Sequence, residues 1–156
     1  DLLLTGNQGD IMKESMKVAK TVCLNYITTY FKNINISKLE YGIHIHCPNG
    51  GTPKDGPSAG SGITLAIISF IINKKIRNDF AITGEIDLDG NVIQIGGLHS
   101  KLNGAKSAGV RTVLCPKMNQ PDYENIIEKD PTLITNNFKV LFVETIKEVV
   151  DLMLLT

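Results

Sequence analysis

The chain has 156 residues, of which 42% are hydrophobic and 21% charged, the size and composition of one folded domain rather than a disordered segment. With 16 Lys and Arg against 16 Asp and Glu, it lacks the broad positive field of a nonspecific nucleic-acid binder. Its longest mostly apolar run, Ile63 to Ile72, is half of the ~20 residues that span a bilayer, so neither a membrane nor a nucleic acid is an expected partner.

The three cysteines, Cys23, Cys47 and Cys115, have no C-x-x-C spacing and read as buried thiols in a reducing compartment. An opening at Asp1 rather than Met points to a piece of a longer polypeptide.

Leu2-Leu3-Leu4 reads as the end of a strand. From Asp10 to about Phe31, apolar residues recur at helical spacing, with Asp10 as the N-cap. Tyr41 to Cys47 alternates as a strand, and Pro48 to Gly56 is a loop. A helix is predicted from Pro57 to about Asn73, because proline suits a first turn and an apolar run follows. Phe80–Thr83 and Glu85–Leu88 are short strands, and Asp89-Gly90 turns the chain back into Asn91–Ile95. Leu98 to Ala108 is a helix closed by Gly109. Thr112–Cys115 is a strand, Asp122–Lys129 a helix, Lys139–Val143 a strand and Thr145–Leu155 an amphipathic helix. Strands and helices mix without strict alternation and the hairpin demands antiparallel pairing. The expected fold is α/β (mixed α+β), one domain over residues 1–156 with a mixed sheet flanked by helices.

Pro48 to Gly60 carries the chemistry. Four glycines and three prolines let its backbone turn tightly and approach a ligand. Ser58 is expected in the first helical turn, where unpartnered N–H groups and a positive dipole can hold an anion or the oxyanion of acyl transfer. Gly56-Pro57-Ser58 can also do no more than start a helix. Gly51-x4-Gly56 has P-loop spacing but lacks the lysine, since Lys54 is in the wrong register. Gly56-Pro57-Ser58-Ala59-Gly60 fits a nucleophile elbow, with Asp87 or Asp89 and then His99 in order, but no strand runs into this serine. The remaining reading is a serine activated by Lys101, in the first turn of the helix after Gly96-Gly97. A lysine is a base only when neutral, and bringing an ordinary value of ~10.4 near 7 demands roughly 4.6 kcal/mol. Two positive helix ends and an apolar shell push that way.

The run His44-x-His46-x-Pro48-x-Gly50-x-Thr52-Pro53-Lys54-Asp55-Gly56-Pro57-Ser58-Ala59-Gly60 resembles the active-site signature of the Lon protease proteolytic domain. Thr83-Gly84-Glu85 and Gly96-Gly97-Leu98-x-x-Lys101 are similar to that family's later signatures. Leu4-Thr5-Gly6, Met12-Lys13-Glu14-Ser15, Ala108-Gly109, Pro116 and Asn119 extend the match over nearly the whole chain.

The resemblance implies a Ser–Lys dyad endopeptidase. Ser58 would be the nucleophile, Lys101 the general base that later protonates the leaving amine, and Thr83 the hydroxyl that orients the amine. Backbone amides at Ser58 and Ala59 would form the oxyanion hole. Asp55, Glu85, His44 and His46 match positions that line or support the site, and Asp55 is expected to influence an open or closed form of the loop.

Each supporting residue also has a plainer role. Asp55 can satisfy amides ahead of a helix, and Thr83 and Glu85 can be cross-strand partners. His44 and His46 share one strand face, but Cys47 points the other way and no carboxylate is near, so no metal is expected. The chain departs from the family pattern at Asn49, at Ser61-Gly62 and at His99-Ser100.

By the same resemblance, no cofactor is expected in this domain, and ATP and Mg belong to an ATPase module outside these residues. Substrates would be unfolded or damaged polypeptides, the assembly a hexameric ring, and the location cytoplasmic, or the mitochondrial matrix for a eukaryotic source. The rival readings are a catalytically degenerate assembly or binding module, and a Ser-Asp-His hydrolase using His99.

Overall fold

A computed structural model describes residues 1–39 and 42–156. Seven strands and five α-helices follow the predicted order among them: β1 (Leu2–Thr5), α1 (Asp10–Tyr30), β2 (Ile43–His46), α2 (Gly60–Ile72), β3 (Phe80–Ile82), β4 (Glu85–Ile86), β5 (Val92–Ile93), α3 (Leu98–Ser107), β6 (Thr112–Pro116), α4 (Gln120–Lys129), β7 (Lys139–Val143) and α5 (Ile146–Met153). Two short 3₁₀ turns, Ile36–Leu39 and Lys117–Asn119, add to these. The expected strand at 41–47 is realised as β2, and its first residue, Tyr41, lies outside the described residues.

Parallel and antiparallel pairing both occur, as the α/β reading requires, but they are divided among three small sheets. β1 pairs with β2 in parallel, β3, β6 and β7 form a parallel sheet in that order, and β4 and β5 form an antiparallel hairpin. The hairpin is short because its chain is spent on the turn. Asp87 accepts from the Gly90 N–H at 3.0 Å, Gly90 has φ +83°, and the Asp87 carboxylate takes the N–H groups of Asp89 and Asn91. Hydrogen bonds from Val92 N–H to the Glu144 carbonyl and from Ile146 N–H to the Gly90 carbonyl tie it to the far end of β7.

The period-2 alternation of the central sheet divides the core in two. Phe80, Ile82, Leu114, Leu141 and Val143 face a large cluster with α1, α2 and α5, including the buried Met16, Ile27, Leu65, Ile68 and Val149. Ala81, Val113, Cys115, Val140 and Phe142 face α3 and α4 around the buried Leu98, Leu102, Leu133 and Phe138. Helices on both faces of a parallel sheet leave its strand ends and loops free to carry a site. Among the described residues, no helix is long and apolar enough to cross a membrane.

One capping expectation is corrected. Asp10 is the first helical residue of α1, not its cap. Gly9 holds the cap position and offers no side chain. At α5 the cap is Thr145, whose hydroxyl accepts from Glu148 N–H at 3.3 Å. Cys23 and Cys115 are buried as expected, and burial pushes both thiols up to about 12. Cys47 is only half-buried, at the end of the two-stranded sheet.

Candidate active site

Ser58 does not lie in the first turn of α2, because its backbone bonds elsewhere. Gly84 N–H donates to the Ser58 carbonyl at 2.9 Å, and Pro57's carbonyl closes a turn with Gly60 N–H at 3.0 Å. Ser61 spends its N–H (3.0 Å) and its hydroxyl (2.9 Å) on the Gly84 carbonyl. Ala59 is therefore the N-cap, and its carbonyl is the first to accept from i+4, at Ile63 (2.9 Å). Ser58 is half-buried, one residue ahead of the cap and two ahead of the helix.

This clamp leaves a local surplus of donors. Gly60 and Ser61 have used their N–H groups, whereas those of Ser58 and Ala59, the expected oxyanion donors, meet no protein acceptor among the described residues. Two free amides beside a hydroxyl, at the positive end of an almost wholly apolar helix, suit a developing negative charge.

The Gly84 that holds Ser58 lies between the other members of its motif. Thr83, 8% exposed, is fixed by its N–H to the Leu114 carbonyl at 3.1 Å. Glu85, half-buried, opens β4 opposite Ile93. Lys101 sits in the first turn of α3, after Gly97 (φ +68°) has turned the chain. The buried Leu98 and Leu102 flank Lys101, and the ammonium-bearing side chain is half-buried. Among the described residues, the Ser58 hydroxyl, the Thr83 hydroxyl and the Lys101 amine have no side-chain hydrogen bond or ion pair, to one another or elsewhere. The fold fixes the backbones that carry these groups and leaves the groups unpaired.

Asp55 serves α1. Its Oδ1 accepts from Met12 N–H at 2.9 Å and from Gly56 N–H at 2.8 Å. These amides, Met12 first, hold its carboxyl below the usual carboxylate range. A Cβ on Gly9 would collide with this carboxylate. The helix thus takes its N-terminal anion from a loop 45 positions downstream rather than from its own cap residue. His44 and His46 are exposed and converge on one hydroxyl: Thr5 Oγ1 lies 2.8 Å from His44 Nε2 and 2.8 Å from His46 Nδ1. No group of three or more His, Cys, Asp or Glu side chains gathers around a metal-sized site among the described residues.

His99 pairs with Asp130 at the end of α4, Nε2 to Oδ2 at 3.1 Å, with both side chains partly exposed. Asp87, the acid a triad would need, is spent on the hairpin turn and on Asn91 Nδ2 at 3.0 Å. Neither Asp87 nor Asp89 is a partner of His99.

Three residues that support this region had no assigned role in the sequence reading. Asn119, fully buried, accepts from Ile95 N–H at 3.0 Å and donates to the Ile95 carbonyl at 2.8 Å, which fixes the chain as it enters Gly96-Gly97 and α3. Ser15, 6% exposed, donates weakly to the Pro57 carbonyl at 3.4 Å. Thr5 joins the two histidines. All three stand within matched strings, but only their long-range partners give them a role.

The whole chain, residues 1–156, matches the family described as the Lon protease (S16) C-terminal proteolytic domain. It is 42% identical over 149 residues to the Lon protease homolog of Acanthamoeba polyphaga mimivirus, covering 96% of this chain and 14% of that protein. It is 42% identical over 158 residues to the Lon protease of Fervidobacterium nodosum, with 98% of this chain and 18% of the relative covered. The mitochondrial Lon protease homolog of Drosophila melanogaster is 41% identical over 148 residues, with 95% and 14% covered. The chain therefore spans about a sixth of the length of these curated relatives. With its Ser58 loop, its Thr83-Gly84-Glu85 turn and its Lys101 helix all within the matched span, the chain belongs to the Lon protease proteolytic-domain family.

Proposed function

We propose that this domain is a serine endopeptidase that cleaves polypeptides through an acyl-enzyme, with Ser58 as nucleophile and Lys101 as base. The observation that carries the reading is the unspent pair of N–H groups at Ser58 and Ala59, beside a hydroxyl that no protein group occupies. Donors aimed at a developing oxyanion are worth about 2.7–4 kcal/mol each. The neutral Lys101 amine would take the Ser58 proton as the hydroxyl oxygen attacks the scissile carbonyl, and the resulting ammonium would protonate the leaving amine. Water would then release the acyl group by the same base. Thr83 is the hydroxyl proposed to orient the amine, in the role that a third group plays in nucleophile–base pairs.

Serine and amine are unpaired in this conformation, which is the common state of catalytic hydrogen bonds without substrate. Asp55 binding at the start of α1 holds the loop that delivers Ser58, and exchange of that carboxylate would move the loop between closed and open forms. Glu85, His44 and His46 are proposed as supports of the same region.

The relatives are named as proteases and are several times longer than this chain. We extend the reading to the whole protein on that ground: a hexameric, ATP-dependent protease of unfolded or damaged proteins, with ATP and Mg bound outside these residues. Three free cysteines suit a reducing compartment, the cytoplasm or the mitochondrial matrix.

The test is made in the whole protein, with an unfolded protein substrate. Ser58→Ala and Lys101→Ala should each abolish turnover, and a serine-directed phosphonate should label Ser58 in the wild type. Turnover that survives Lys101→Ala but is lost in His99→Ala would instead establish a histidine base. A wild-type assembly that never forms a serine adduct would establish the noncatalytic module.

A further inference from the structure

Lys54 makes more hydrogen bonds through its side chain than any other residue of the loop. Its ammonium donates to the carbonyls of Asn49 at 2.7 Å, Gly6 at 2.9 Å and Thr52 at 3.0 Å. An ammonium has three protons, and all three are spent on backbone. The carbonyls come from three places: the exit of β1, the start of the loop and its middle. Lys54 is also held by its own backbone, which donates to the Asn7 carbonyl at 3.0 Å and accepts from Gly9 N–H at 2.7 Å. The next residue, Asp55, collects N–H groups. Adjacent side chains of opposite charge thus gather the loop's acceptors and the donors around the start of α1.

We infer that Lys54 is a positioning residue for the nucleophile: its ammonium acts as an internal cation that sets the path of the loop delivering Ser58. This inference rests on the reading of Ser58 as nucleophile. From Asn49 to Ala59 the chain has no helix or strand and only the isolated bridge of Lys54 to Gln8, and Asn49 (φ +64°) and Gly56 (φ +106°) are in left-handed conformations that a free loop would readily leave. The ammonium draws carbonyl dipoles that would otherwise repel one another onto a single point. That fixes the anchor four residues before Ser58, and the clamp at Gly84 fixes the chain from the other side. The geometry selects lysine over arginine, because three converging carbonyls match a compact ammonium and not a planar fork.

In the whole protein, Lys54→Met should lower kcat on an unfolded substrate by ~10- to 100-fold, as a misplaced nucleophile does, with KM changed less than about threefold. Phosphonate labelling of Ser58 should slow by the same factor. Lys54→Arg should lose nearly as much although it keeps the charge, and it gives the same reading if Lys54→Met does not fold. In a Cys47→Ser background, Lys54→Cys followed by aminoethylation, which rebuilds a lysine-like ammonium, should restore kcat and labelling together. Wild-type kcat in Lys54→Arg, a loss borne by KM alone, or failure of aminoethylation to restore a folded Lys54→Cys protein would each overturn the inference. Turnover that survives Ser58→Ala fails the nucleophile reading itself. Full activity of Lys54→Met beside an inactive Ser58→Ala fails only the role of Lys54.

Discussion

The carbonyl of Ser58 accepts the amide proton of Gly84 at 2.9 Å, and the Gly84 carbonyl in turn takes the amide and hydroxyl protons of Ser61. One glycine, between Thr83 and Glu85, therefore holds both sides of the segment that bears the proposed nucleophile, Ser58. That clamp keeps Ser58 out of the helix and leaves its own N–H free.

Gly84→Ala tests the clamp. A Cβ there would collide with the Val92 side chain and stand 3.0 Å from Ser61 Oγ. Overpacking of this kind is worth about 1–3 kcal/mol of stability. Thermal unfolding should show that loss, and phosphonate labelling of Ser58 should fall in protein that remains folded.

Asn119→Ala tests the support of the Lys101 helix. The substitution strands the amide and carbonyl of Ile95, both served by this buried side chain. Each unsatisfied group costs about 1–3 kcal/mol. Denaturant titration should register the loss, and hydrogen exchange should rise first in residues 95–101.

Asp55 gives the protein an acid-sensitive contact. Its carboxyl is held below the usual range by the amides of Met12 and Gly56, so the folded state favours the ionised form. The stabilisation is present above the unfolded value near ~3.9 and is lost as pH falls through the lower folded value. Asp55→Asn should flatten the acid limb of melting temperature against pH. An unchanged acid limb would count against the contact.

Thiol accessibility should follow burial. With Cys23 and Cys115 pushed up to about 12 by burial, a thiol reagent near pH 8 should modify Cys47 alone in the native protein. All three cysteines should react once it is unfolded. Fast modification of Cys115 in the native state would contradict the packing of β6 against α3 and α4.

His99→Ala should leave turnover close to wild type. Its pair with Asp130 is nearly half exposed on the histidine side, and such pairs contribute less than about 1 kcal/mol. Peptidase assay of this variant separates a structural histidine from a catalytic one.

Most elements were legible in the residues because each obeys a local rule. The short run of β-branched and aromatic residues in Lys139–Val143 gave β7 to the residue, and Gly109 (φ +82°) closes α3 as its position predicts. The start of α2 was not legible. Pro57-Ser58 is a sound helix opening by local chemistry, but the Ser58 carbonyl and the amide and hydroxyl of Ser61 were claimed by Gly84 from a distant turn. Likewise Asp10 looked like a cap until Asp55 arrived from the loop. Lys54 lay in plain view within the signature, yet the three carbonyls it serves are brought together only by the fold.

The sequence by itself determined the family, the order of strands and helices and the choice of Ser58 and Lys101 as candidates, because these follow from periodicity, turn residues and a specific string. Tertiary structure decided which backbone groups are left unspent around Ser58, which carboxylate caps α1 and what Lys54 holds. Those are outcomes of competition for hydrogen-bond partners between segments far apart in the chain, and no local rule ranks such competitors.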